Sequence, residues 1–308
     1  MPAPINAKGV FTICPTPFDD ALKVDTESIK SLVDFLLDTG ITGLAILGFL
    51  GELHKLNNAE RRLVTDTFIK HTKGRVPVWV GVRAHGITGA IEQAQEAQES
   101  GAAAVFAAPL DNASDALLFD YYKAVADSVK IPVVIHDFPD SFGTAIRPEV
   151  VARLGKEGGV NMIKMEEPPV GQKISRIRDL AGDDAMKIFG GLGGMFFVEE
   201  LQRGAVGPMT GFAYPEVLVE IYNRFAAGDQ KGAAAVFDRY CPLIRYEFQP
   251  KIGLALRKYV YQQRGAIRSN AIRSPGMRID ALTIKELEAT VARVGLSTTA
   301  RGRQAVKA

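Results

Sequence analysis

One lysine interrupts an otherwise apolar run. Lys164 lies in Val160-Asn161-Met162-Ile163-Lys164-Met165, a stretch patterned as a buried β-strand. An ammonium in such a place is costly unless it is paired or gives up its proton. A desolvated, neutral amine can attack a ketone and form a Schiff base. The competing reading is a strand-end lysine that reaches solvent or pairs with Glu166 or Glu167. Both readings stay open on pattern alone. Other groups with chemical potential gather where apolar runs end: Thr16, Gly48-Phe49-Leu50-Gly51-Glu52, Arg83, His85, Leu110, Asp111, His136, Asp137, Gly190-Gly191-Leu192-Gly193-Gly194, Met209 and Thr210. An imidazole titrates near neutrality, so His136 is a candidate acid/base. Its neighbour Asp137 alternates to the other face of the strand, where it would brace a loop or reach substrate by another route. The histidines (His54, His71, His85 and His136) lack ligand spacing such as HExxH, so no metal is expected.

These groups need a scaffold that brings strand ends together. Short runs, apolar on both parities, occur at 10–15, 43–48, 76–82, 103–109, 132–139, 161–166, 186–191 and 205–211. Amphipathic helical stretches separate them, the first opened by Asp25 and Thr26 and closed by Gly40. The strand ends recur at roughly 28-residue spacing, one unit of a (β/α)₈ barrel. The main rival, a doubly wound nucleotide fold, would carry Gly-x-Gly-x-x-Gly after its first strand, and none is present. The expected architecture is therefore a TIM barrel over residues 1–229, with a helical C-terminal extension over 230–308 packed on it. The last residues, STTARGRQAVKA, read as a frayed end.

Composition narrows the partners. Against 37 Lys and Arg stand 35 Asp and Glu, a net charge of +2 that gives no reason to expect nucleic acid or an anionic membrane. The two cysteines, Cys14 and Cys241, form no CxxC or Cys/His cluster, which suits a reducing cytoplasm. No secretory signal and no apolar run of membrane-spanning length is read at this stage.

As a set, several motifs are familiar. They are Ile163-Lys164 after a sixth strand; His136-Asp137-Phe138-Pro139 with Gly143-Thr144 beyond; Gly48 to Glu52 after the second strand; Gly9-Val10-Phe11 with Pro15-Thr16-Pro17-Phe18; and Gly204-Ala205-Val206-Gly207. Over about residues 8 to 296 the chain resembles the dihydrodipicolinate synthase / N-acetylneuraminate lyase family of class I aldolases. The resemblance implies that Lys164 forms a Schiff base with pyruvate or another 2-oxo acid, without any separate cofactor. It implies that the loop Gly48, Phe49, Leu50, Gly51, Glu52 holds the substrate carboxylate, partly through backbone N–H groups. Because family members are commonly tetramers, it also implies a homo-oligomer, a tetramer or a dimer.

The departures bear on the reaction. Phe49 and Leu50 replace the two threonines of the synthase pattern. His136 replaces its fifth-strand tyrosine, Asp137 the neighbouring asparagine, and Leu110 stands where a tyrosine usually follows Pro109. Ser141-Phe142 supplies no arginine for a second substrate's carboxylate. These losses argue against the synthase reaction. The Glu166-Glu167-Pro168 segment, Met209-Thr210-Gly211 and Pro242-Leu243-Ile244 instead resemble the 2-keto-3-deoxy sugar acid dehydratases, L-2-keto-3-deoxyarabinonate dehydratase in particular. The expected function is thus a lyase. An iminium on Lys164 would acidify C3, and the enamine would expel a C4 hydroxyl or, by retro-aldol cleavage, release pyruvate. His136 is the expected acid/base; Asp137, Gly191 and Met209 join the 48–52 loop as expected substrate contacts. Two alternatives are the synthase itself and a non-catalytic homologue that binds 2-oxo acids.

Overall fold

A computed structural model of the chain describes residues 7–182 and 185–299. Eight strands form a closed, all-parallel barrel in chain order: β1 (Phe11–Ile13), β2 (Gly43–Ile46), β3 (Val78–Val82), β4 (Ala104–Ala107), β5 (Val133–Asp137), β6 (Met162–Met165), β7 (Lys187–Gly190) and β8 (Gly207–Thr210), with β1 pairing β8. Around them lie α1 (Thr26–Asp38), α2 (Asn58–Thr72), α3 (Ile87–Glu99), α4 (Asp115–Ser128), the short α5 (Pro139–Phe142), α6 (Pro148–Glu157), α7 (Val170–Ala181), α8 (Phe197–Gln202) and α9 (Pro215–Ala226). Among these, α1, α2 and α4 start where a polar side chain satisfies a free amide. Asp25 accepts from the Ser28 N–H, Ser114 from Leu117, and Asn57 forms a reciprocal capping box with Glu60. The expected TIM barrel is present, and the strands are shorter than their apolar runs because each run includes the turn that follows. Among the α-helices of the described residues, only α5, a single turn opened by Pro139, has no counterpart in the sequence pattern.

The barrel interior is filled. Phe11, Trp79 and Phe189 converge with ring centroids 4.3 to 5.3 Å apart, joined by Phe106, Val134, Met162 and Met209. Gly43 admits this packing, since a Cβ there would lie 2.1 Å from the Phe11 ring. A packed floor forces chemistry to the open, C-terminal ends of the strands.

Past Ala227 the alternation ends and three helices follow: α10 (Gln230–Glu247), α11 (Gly253–Gln263) and α12 (Ala281–Arg293). They are bonded to the barrel through ion pairs, two of them buried. Arg264, next to α11, pairs with Glu216 and donates to the Ala213 carbonyl at 2.7 Å. Lys258 reaches Glu52 at 2.5 Å, and Arg268 pairs with Asp25. Residues 300–308, most of the segment expected to fray, lie outside the described residues.

Candidate active site

Strand register builds the site. His136 of β5 pairs directly with Lys164 of β6, so their side chains stand side by side on the inner face. Glu166, two residues further, returns to that face. Lys164 Nζ lies 3.0 Å from His136 Nε2 and donates to Glu166 Oε2, which is itself 3.2 Å from the same imidazole nitrogen. The other carboxylate oxygen accepts the Leu192 N–H at 2.9 Å. Lys164, His136 and Glu166 are all buried. Glu166 therefore lies in the site, in contact with both Lys164 and His136. The i, i+2 alternation in a strand was the available signal for it.

Burial and mutual contact set the charges. Burial pulls the Lys164 amine below the usual lysine range, Glu166 pulls it part of the way back, and the Arg257 cation pushes it down again. Burial alone would raise Glu166, but Lys164 and His136 outweigh it and bring the carboxyl down to about 2. Burial, then the Lys164 charge, lowers His136 to about 4. The imidazole is therefore neutral near pH 7, and the expectation that it titrates there is corrected: desolvation favours the uncharged ring. The single Nε2 of a neutral His136 serves one neighbour at a time: protonated it donates to Glu166 Oε2, and unprotonated it accepts from the Lys164 ammonium. Glu166 is the ionised member of the triangle and, as a carboxylate, can accept a proton.

The 48–52 loop reaches this triangle through Phe106, which lies against Gly48 and has its ring 5.5 Å from His136. Thr16 Oγ1 donates to the Gly51 carbonyl at 2.6 Å and ties the loop to the end of β1. Gly51 and Glu52 donate back into the turn, whereas the Phe49 and Leu50 amides donate to no backbone carbonyl among the described residues. Two adjacent free amides make a site for a carboxylate without the hydroxyls the synthase pattern has. The Leu50 side chain crosses to Gly211, which has no Cβ to obstruct it, and the Phe49 ring turns outward to stack on His54 at 5.1 Å. Gly48 packs by Phe106.

Four residues expected to touch substrate have other work. Glu52 is fully buried and pairs with Lys258 at 2.5 Å and Lys55 at 2.8 Å, also accepting the Arg273 N–H. It fastens the loop to the extension. Asp137 faces outward, as alternation requires, and bonds Lys173 at 2.6 Å; burial pushes its carboxyl up to about 6. Gly191 leaves the space that Glu166 occupies, since a Cβ there would lie 2.5 Å from the Glu166 carboxyl carbon. Met209 is buried in the barrel floor. At the rim, His85 and Asp111 lie 3.8 Å apart, and Arg83 covers Phe142.

Glu52→Gln is expected to destabilise the fold by about 3–5 kcal/mol, because it strands the buried Lys258 ammonium without its partner. Urea unfolding measures this. An unchanged midpoint would exclude the fastening role.

Glu200 is a second buried acid, on α8 behind β7, with its carboxyl against the bare Cα of Gly190. Burial, with Glu166 nearby, pushes it up to about 8, so it is largely protonated at neutral pH. Among the described residues no three His, Cys, Asp or Glu side chains converge as metal ligands. No helix among them is long and apolar enough to cross a membrane.

Known proteins are similar to this chain in sequence and fold. The family model described as "Dihydrodipicolinate synthetase family" matches residues 6–294. L-2-keto-3-deoxyarabonate dehydratase of Azospirillum brasilense is 31% identical over 93% of this chain and 94% of its own. The 4-hydroxy-tetrahydrodipicolinate synthase of Methanothrix thermoacetophila is 31% identical over 78% of this chain and 82% of its own. A crystal structure of dihydrodipicolinate synthase from Rhodopseudomonas palustris superposes with a TM-score of 0.88 at 35% identity, covering 93% of this chain and 97% of that one. With a buried lysine at the end of the sixth barrel strand and a model match over almost its whole length, the chain belongs to the dihydrodipicolinate synthetase family and is a Schiff-base lyase of the class I aldolase and dehydratase type.

Proposed function

We propose that the protein dehydrates a 2-oxo acid with a hydroxyl at C4, a 2-keto-3-deoxy sugar acid, through a Schiff base on Lys164 and with no separate cofactor. One observation carries this reading: a single carboxylate, Glu166, touches both the amine that forms the iminium and the imidazole beside it. Glu166 takes the proton from Lys164, and the neutral amine attacks the C2 ketone. Glu166 returns that proton to the carbinolamine hydroxyl, which leaves as water and gives the iminium, an electron sink that acidifies C3. The carboxylate then removes the C3 proton, and the enamine electrons expel the C4 hydroxyl, which leaves as water with the proton returned by Glu166. Hydrolysis of the unsaturated iminium frees the lysine. The substrate's C1 carboxylate lies on the Phe49 and Leu50 amides. Neutral His136 orients the amine and shapes the pocket. The similarity to the Azospirillum dehydratase supports the same choice. The protein acts in the cytoplasm as a homo-oligomer.

The synthase reaction is the second reading, favoured by the Rhodopseudomonas likeness. A panel separates the two. L-2-keto-3-deoxyarabonate and related C4-hydroxy 2-oxo acids are scored for dehydrated product and for released pyruvate. Pyruvate with aspartate semialdehyde is scored for condensation. Dehydrated product without condensation is the expected result; condensation alone would overturn the dehydratase reading.

A further inference from the structure

Arg83 follows β3, two residues beyond Gly81 and four beyond Trp79, on the parity that faces the barrel interior. Its main chain is clamped by one carboxamide: the Arg83 N–H donates to Gln93 Oε1 at 2.9 Å, and Gln93 Nε2 donates to the Arg83 carbonyl at 3.0 Å. The guanidinium lies over the Phe142 ring, 5.1 Å from its centroid, and Phe142 packs edge-on against His136 at 4.9 Å. The cation thus stands two ring contacts from the catalytic triangle, close enough for its charge to act on His136. Arg264, Arg268 and Arg273 each pair with a carboxylate, but Arg83 forms no ion pair among the described residues. Asp111, at the same rim, lies instead by His85.

A half-buried guanidinium against an aromatic face keeps its N–H edge free as a two-pronged donor. In a ring-lined mouth it gains more from a carboxylate than from a neutral hydroxyl, because a carboxylate accepts two parallel N–H···O bonds and carries the opposite charge. The substrate's C1 carboxylate is already provided for by the Phe49 and Leu50 amides, so the anion must come from elsewhere on the molecule. We propose that Arg83 is a specificity-determining residue that binds a second carboxylate at the far end of the substrate, which makes the substrate class a 2-oxo diacid. The proposal rests on the lyase reading for which end of the substrate meets Lys164.

The test compares 2-oxoglutarate with 2-oxopentanoate, five-carbon chains that differ in the far carboxylate. Each is titrated twice: with borohydride, mapping the adduct on Lys164 by mass, and by calorimetry without reductant. Wild-type protein is expected to half-saturate with the diacid at a concentration about tenfold lower. That preference shrinks in high salt. Arg83→Met brings the ratio close to one, and Arg83→Lys restores part of it. A wild-type ratio near one, a ratio retained in Arg83→Met, or failure to bind either acid would each overturn the proposal. The lyase reading fails separately. Calorimetric preference for the diacid that is lost in Arg83→Met, with no adduct on Lys164, supports the role of Arg83 and rejects the Schiff base.

Discussion

Replacing Lys164 with alanine is expected to lower kcat by about 10⁴-fold or more, because the covalent route disappears with the amine. Among the described residues, the other buried lysines are already paired. Lys173 is committed to Asp137 and Glu167, and Lys258 to Glu52. The two free cysteines offer no nucleophile either; burial pushes the Cys14 thiol far up, and burial with Asp238 and Glu199 nearby raises Cys241. The measurement is borohydride reduction in the presence of pyruvate, with mass mapping of the modified peptide. Wild-type protein should carry the adduct on Lys164, and the variant should carry none. An adduct of the same yield elsewhere in Lys164→Ala would remove Lys164 from the mechanism.

Glu166→Gln should separate imine formation from turnover. Its kcat is expected to fall by about 10² to 10⁴-fold, the usual range for loss of a positioned acid/base. Trapping of pyruvate should persist, with a shifted pH profile. Burial lowers the Lys164 pKa, and the Glu166 charge raises it part of the way back. With that charge gone, the folded pKa of Lys164 drops further. More of the amine is then neutral at any given pH, and the acid limb of trapping moves to lower pH. A purely structural role for Glu166 would instead lose trapping and turnover together. Turnover within a few-fold of wild type would end its assignment as the proton carrier.

Much of this molecule was legible in its residues. The eight apolar runs, the caps at Asp25 and Gly40 and the roughly 28-residue period specify the barrel, because those signals are local. Lys164 stood out for the same reason: one charged residue in an apolar strand is visible without any partner. The supporting cast was harder. Gly191 drew notice as a glycine over the pocket, yet its missing side chain serves Glu166, 25 positions earlier by the numbering. Glu52 follows the carboxylate loop in sequence but answers to Lys258, separated from it by 206 positions. Met209 ends a strand, as site residues do, and points into the floor.

The order of elements, the barrel they close into and the one lysine that can form an imine were determined by the sequence itself, through hydropathy and periodicity. The tertiary structure decided which groups meet that lysine and in what charge state. It brought a neutral His136 and an ionised Glu166 to Lys164, sent Asp137 outward and, among the described residues, left Arg83 without a carboxylate. The physical reason is that desolvation and charge–charge energies depend on distances across the fold. Neighbours in space, rather than in the chain, determine whether a buried group keeps its proton.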